Sequence, residues 1–203
     1  MNSVLEENGL TIELLNQLSY KSQLGKSLKK NLHYFDKDEL MKEMKNMVDW
    51  LDEQECFSNI VLDYRIKSMD SIELKYKRYY PNRQVRQVFN DVLGFRAFCS
   101  DYAVVVSMES DVFRIVDMSK GKANDDGYRG VHLYYQIDNN HYPIEIQFNT
   151  YYDRQFNDWL HKYLYKKGYD NSIGVKLRYE YENGKIVNEK QFEEVLKNVL
   201  CCC

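Results

Sequence analysis

Apolar residues recur at i, i+3 and i+4 in two stretches near the start of the chain, a spacing that predicts amphipathic helices. One is SVLEENGLTIELLNQL (3–18) and the other DKDELMKEMKNMVDWLDE (36–53). Asp36 is placed to cap the second, because acids fill the turn that follows it. The stretch YRIKSMDSIELKYKRYYPNRQVRQVFN (64–90) reads as a short strand or loop, then a helix ending near Pro81. The pattern then shortens. VLGFRAFC, YAVVVSM, DVFRIVDM, RGVHLYYQI and YPIEIQF are β-branched or aromatic runs separated by turn residues, which predicts five strands between residues 92 and 148. YYDRQFNDWLHKYLYKKG returns to a helix that stops at Gly168, KLRYEYENGKIV predicts a hairpin turning at Asn183-Gly184, and EKQFEEVLKNVL a last helix. The expected fold is α+β: a mixed, largely antiparallel five-stranded sheet flanked by helices.

Alternation sorts two of these strands into faces. Val131, Leu133, Tyr135 and Ile137 share one side, as do Ile144, Ile146 and Phe148. A turn at Asp138–His141 brings the two apolar sides into coincidence. His132, Tyr134, Glu145 and Gln147 then stand together on the other side, with Gly127 and Tyr128 at its entrance. A solvated amphipathic hairpin would show the same alternation, so parity alone does not make this a site.

Composition narrows the class. In 203 residues, 44% hydrophobic and 14% aromatic, there is enough apolar surface for a sizeable core, and two prolines and nine glycines leave little room for linkers. The expectation is a single domain over 1–203, with a helical region to residue 54, a core over 55–168 and a closing segment over 169–203. No apolar run approaches the roughly 20 residues of a membrane span and the first residues lack a signal pattern, so a cytoplasmic protein is expected. Among the five cysteines no pair has zinc spacing. Cys99 reads as a small core residue, and the terminal Cys201–Cys203 run receives no role.

A formal net charge of −3 hides a patchy distribution. Lys21, Lys26, Lys29 and Lys30 lie within ten residues that contain no acid. Arg65 to Arg86 holds seven basic residues against Asp70 and Glu73, and Lys162, Lys166, Lys167, Lys176 and Arg178 form a third group. Any one run could be a solvated helix face; three together suggest a polyanionic ligand.

The motifs, taken in order, carry a resemblance. DGYRGVH (126–132) and PIEIQFNT (143–150) resemble the GYRSLH and EIQIRT motifs of RelA/SpoT-type alarmone synthetase domains. YRIKSMDSIELK, NDVLGFR and WLHKYLYKK are similar to that family's segments, and the set spans roughly residues 55–168. The resemblance implies a nucleotidyltransferase-like sheet and a single-domain pyrophosphokinase, which moves the β,γ-pyrophosphate of ATP to a ribose 3′-hydroxyl and releases AMP. It implies Mg²⁺ held by Asp91 and Glu145, with Glu145 either a second ligand or the base that orients the hydroxyl. It also implies an ATP grip by Arg65, Lys67, Lys75 and Arg96, and a catalytic Tyr128 on which the acceptor stacks, with His132 and Gln147 as further acceptor contacts.

Two departures bear on the acceptor. Asn149 stands where the family has arginine. The lysine expected beside the Gly-Tyr pair is displaced to Lys120 or Lys122, and Asp125 and Asp126 abut Gly127. Two carboxylates there would repel a free guanosine di- or triphosphate. This points to the toxic branch of the family, in which the 3′ CCA end of tRNA is the acceptor, and it would imply an antitoxin partner. Lys29, Lys30, Lys166 and Lys167 are the candidate RNA-binding residues. GDP or GTP is the alternative acceptor, and a member that only binds nucleotide or RNA is the second alternative.

Overall fold

The structure is a computed structural model that describes residues 3–108 and 110–201, without the side chains of Ser3 and Lys166. Cys202 and Cys203 therefore lie outside the described residues. The chain divides into two compact units. One comprises the residues up to Ala97 together with Ser107–Ile115 and His132–Gln147; the other comprises Phe98–Val106, Val116–Val131 and the chain from Phe148 onward.

The first apolar stretch is not one helix. It forms α1 (Ser3–Glu6) and α2 (Ile12–Gln17), broken where Gly9 takes a φ of 73°. That left-handed turn ends the first helix, and Thr11 caps the second by accepting from the Leu14 N–H at 3.1 Å. The second stretch forms α3 (Lys37–Asp52) with Asp36 as its cap, accepting from the Asp38 and Glu39 N–H groups. Its inward face is Leu40, Met44, Met47 and Leu51. Buried among them, Glu43 accepts from Ser22 Oγ (2.6 Å), Gln23 N–H (2.8 Å) and Tyr142 Oη (2.8 Å). One carboxylate thus ties α3 to two distant segments, and its burial is tolerated because its oxygens are occupied.

β1 (Asp63–Ile66), α4 (Met69–Tyr79) and α5 (Val85–Val88) follow, then β2 (Leu93–Phe98). Next come α6 (Tyr102–Val106), β3 (Phe113–Asp117), β4 (Val131–Tyr135) and β5 (Ile144–Asn149). The five strands form one sheet in the order β1-β2-β5-β4-β3. The fold is the expected mixed α+β sheet with flanking helices, but its membership differs at one strand. YAVVVSM is helical, and β1 supplies the fifth strand. In α6 only Val105 is buried, while Val104 and Val106 are exposed; Asp101 Oδ1 takes the Ala103 N–H and Tyr102 Oη donates to Asp153 at 2.8 Å. Capping and that anchor outweigh the strand preference of three valines.

In β4 and β5 the predicted parity holds: Val131, Leu133, Tyr135, Ile144, Ile146 and Phe148 are buried. Ile137 departs from it, lying beyond the end of β4 and 41% exposed. Cys99 is buried as expected, and burial foremost pushes its thiol up to about 11.

The second unit is built on α7 (Tyr151–Tyr163), α8 (Asn171–Glu182) and α9 (Glu189–Cys201). Phe156, Trp159, Leu160, Leu177, Tyr181 and Phe192 form its core. The expected hairpin at Asn183-Gly184 is absent. KLRYEYE continues α8, and Gly184, at a φ of 73°, terminates it through Gly184 N–H to Tyr181 O and Lys185 N–H to Glu180 O. Among the described residues no helix is long and apolar enough to cross a membrane.

Candidate active site

The edge of the sheet places the first group of residues. β1 pairs antiparallel with β2, with Asp63 opposite Arg96 and Arg65 opposite Gly94. Opposed residues share a face, so the Arg65 and Arg96 side chains leave the sheet on the same side. Arg96 Nη1 donates to Asp63 Oδ2 at 3.1 Å. Just past β1, the Lys67 N–H donates to Val92 O at 2.8 Å, which sets Lys67 beside the turn that carries Asp91. Asp91 Oδ2 accepts from Lys67 Nζ at 2.7 Å, and its Oδ1 accepts from Lys75 Nζ, presented by α4, at 2.9 Å.

Glu145, on β5, is the second acid. Its Oε1 accepts from Tyr134 Oη at 2.9 Å and from His132 Nδ1 at 3.0 Å, and its Oε2 accepts from Gln147 Nε2 at 2.7 Å. Burial works against its charge, but the hydrogen bonds from His132, Gln147 and Tyr134 outweigh it and hold the carboxyl at about 2. Arg65, Lys67, Asp91, Arg96, Glu145 and Gln147 line one cavity. Within the first unit, therefore, the structure gathers both predicted acids, all four predicted ATP contacts (Lys75 through Asp91), His132 and Gln147.

Tyr134 and Arg114 belong to the same network, and neither was assigned a role from sequence. The Arg114 guanidinium lies 4.2 Å from the Tyr134 ring centroid, and burial foremost, with Glu145, drives the Tyr134 phenol well above its ordinary pKa. That phenol is a fixed donor to Glu145. Parity with His132 was the available signal.

Tyr128 lies in the second unit, half-buried, on a loop whose charges are matched. Arg129 donates Nη1 to Asp125 Oδ1 (2.8 Å) and Nη2 to Asp125 Oδ2 (3.1 Å). Burial opposes the Asp125 charge, but the hydrogen bonds from Arg129 prevail and hold the carboxyl below its usual range. Asp126 accepts from Lys122 Nζ at 2.7 Å and from the Tyr128 N–H at 3.1 Å. The expected repulsion from two bare carboxylates is corrected accordingly: each has a cation against it. Of the two candidates for the displaced lysine, Lys122 has its Nζ 4.8 Å from the Tyr128 ring centroid. Asn149, buried, donates Nδ2 to Arg129 O at 2.8 Å, so the residue replacing the expected arginine braces the same loop.

The basic patches come apart. Lys29 and Lys30 are exposed, as is Lys167, while the Lys166 side chain lies outside the described residues. Lys162 pairs with Glu189 at 2.8 Å. Arg178 is not a surface charge; its side chain is 2% exposed and bonded to Asp153 at 2.6 Å. Among the described residues, no three His, Cys, Asp or Glu side chains cluster as a metal centre.

A family model described as a region found in RelA / SpoT proteins matches residues 64–170. No curated protein matches the chain. Among solved structures the chain is similar to the small alarmone synthetase 1 from Bacillus subtilis bound to its product pppGpp. That pair is 20% identical over 79% of this chain and 89% of the other, with a TM-score of 0.46. The small alarmone synthetase 2 from Bacillus subtilis is 22% identical over 81% of this chain and 100% of the other, at 0.45. A GTP pyrophosphokinase family protein from Streptococcus pneumoniae is 20% identical over 77% and 86%, at 0.39.

Proposed function

The chain belongs to the RelA/SpoT family and is a pyrophosphokinase, and from that premise we propose that its acceptor is a guanosine 5′-di- or triphosphate. The 3′-hydroxyl of the acceptor attacks the β-phosphorus of ATP, the α–β bridge bond breaks, and AMP leaves. The observation that carries the proposed site is the cavity in which two acids meet Arg65, Lys67 and Arg96. Phosphoryl chemistry asks chiefly for positioning and charge neutralisation, and this cavity supplies both. Arg65 and Arg96, on one face of the sheet edge, hold adenine and phosphate by stacking and paired donors; Lys67 and Lys75 act as point charges.

Two hard carboxylates in one cavity suit Mg²⁺, which binds through one or two carboxylates and completes its shell with water and phosphate oxygens. Asp91 and Glu145 would hold the ion, whose bound charge offsets that of the phosphates. Lys67 and Lys75 each donate to Asp91 and fix the direction of its carboxylate. Hydrogen bonds from His132, Gln147 and Tyr134 keep Glu145 ionised against its burial, which suits a carboxylate that binds a cation. Its part is to bind the cation and orient the hydroxyl, with His132 and Tyr134 fixing its direction.

The guanosine reading rests on the matched charges around Tyr128: Lys122 and Arg129 cancel the repulsion that favoured an acceptor whose phosphates are held elsewhere. A tRNA 3′ end, with an antitoxin as partner, is the second reading, and exposed Lys29 and Lys30 are the feature that suits it. Incubation with γ-labelled ATP and Mg²⁺ decides. Label on GDP or GTP supports the first acceptor, label on tRNA alone supports the second, and no AMP release with either removes both.

A further inference from the structure

The family match ends at residue 170, but the segment that braces the Tyr128 loop begins at Asn171. Gly174 of α8 meets that loop backbone to backbone. A methyl group on Gly127 would collide with the Gly174 carbonyl, and one on Gly174 with the Asp126 carbonyl oxygen. Gly127 has a φ of 86°, so the loop also depends on a conformation that side chains disfavour. One helical turn past Gly174, buried Arg178 donates Nε to Gly127 O at 2.8 Å, Nη1 to Asp153 Oδ1 at 2.6 Å and Nη2 to Asn157 Oδ1 at 3.4 Å. Asn157 accepts from the Arg129 N–H (3.3 Å) and donates Nδ2 to Arg129 O (2.7 Å). Tyr128 is therefore held by the peptides on both of its sides, from α7 and α8 together.

A buried charge is a costly way to fill a core, and an apolar side chain packs as well. What the guanidinium adds is a rigid planar fork that reaches a loop carbonyl and a helix carboxylate at once, which an ammonium does not reproduce. From this geometry we infer that Gly174 and Arg178 are positioning residues for the acceptor. They fix the Tyr128 ring in its receiving orientation, so α8, beyond the segment that marks the family, sets acceptor affinity. The inference rests on the reading that Tyr128 receives the acceptor base.

Gly174→Ala and Arg178→Lys test it. Alanine improves helix propensity, so any loss in the first variant comes from the loop and not from a weakened helix. Both variants should raise KM for GDP about tenfold or more while KM for ATP stays within about twofold. Amide hydrogen exchange should quicken at residues 127–130. A parallel rise in both KM values, or unchanged acceptor KM with unchanged exchange, overturns the inference. If the wild-type protein turns over no guanosine nucleotide, the acceptor reading fails instead. Exchange then judges the clamp alone: quickening confined to residues 127–130 in both variants upholds it, and no change overturns it.

Discussion

Lys67 donates to Asp91 at 2.7 Å from a side chain only 10% exposed, so the acid that would hold the cation is also the partner that makes a nearly buried lysine tolerable. Replacing Asp91 by asparagine separates the two roles. It leaves Lys67 facing a neutral group, at a cost of about 1–3 kcal/mol in stability. Adding Lys67→Met should recover much of that loss in thermal unfolding, because an apolar chain needs no partner. AMP release should stay down at least about 100-fold in both variants. An Asp91→Asn protein that turns over like wild type would remove Asp91 from the reaction.

Glu145 gives acid stability a predictable sign. Its carboxyl titrates at about 2 in the folded protein against an ordinary 4.5. The folded state therefore holds fewer protons than the unfolded state between those values. The stabilisation is fully present above about pH 4.5 and is lost as pH falls toward 2; it is worth on the order of 3 kcal/mol at neutral pH. Glu145→Gln should flatten the fall of the urea midpoint across that window. An identical acid dependence in both proteins would contradict the hydrogen-bonded assignment. Turnover of the wild type should likewise show no acid limb near 4.5 arising from this group.

The sheet face that carries Glu145 was legible because alternation is a strict code: buried Val131, Leu133 and Tyr135 leave His132 and Tyr134 on the other side. Two other signals misled because each serves two structures. An asparagine followed by a left-handed glycine makes a tight hairpin or ends a helix. At Asn183-Gly184 the buried series Ile173, Leu177, Tyr181 decides for the helix. Charge carries no label for depth. By sequence alone Arg178 reads as one more surface cation, yet Asp153, on another helix, pairs with it, and Asp125 and Asp126 read as bare because Lys122 and Arg129 are brought back only by the folded loop.

Tyr128 should act through its ring. Base stacking on an aromatic is worth about 1–3 kcal/mol, so Tyr128→Ala should raise acceptor KM by roughly 10- to 100-fold while Tyr128→Phe stays close to wild type. Lys122→Ala should have a smaller effect, a few-fold, because the lysine is partly exposed and its pairing with Asp126 is screened by solvent. Initial rates at fixed ATP and varied GDP measure both. A matching rise in KM for ATP would show that the loop serves the donor instead.

Lys29 and Lys30 separate the two acceptors. Both are exposed, and the chain beneath them is pinned by Leu28 N–H to Asn139 O at 2.8 Å and Val85 N–H to Lys30 O at 3.1 Å. Reversing their charge with Lys29→Glu and Lys30→Glu should therefore leave the fold intact. With a guanosine nucleotide as acceptor, turnover should stay within about twofold of wild type, since small phosphates are neutralised locally. With tRNA as acceptor, each lost phosphate contact should weaken use of the RNA and lower the salt dependence by about one unit of slope. Full activity on GDP that is insensitive to both substitutions is the expected result. A rate that falls with tRNA alone, and with a flatter salt profile, would return the assignment to the tRNA end.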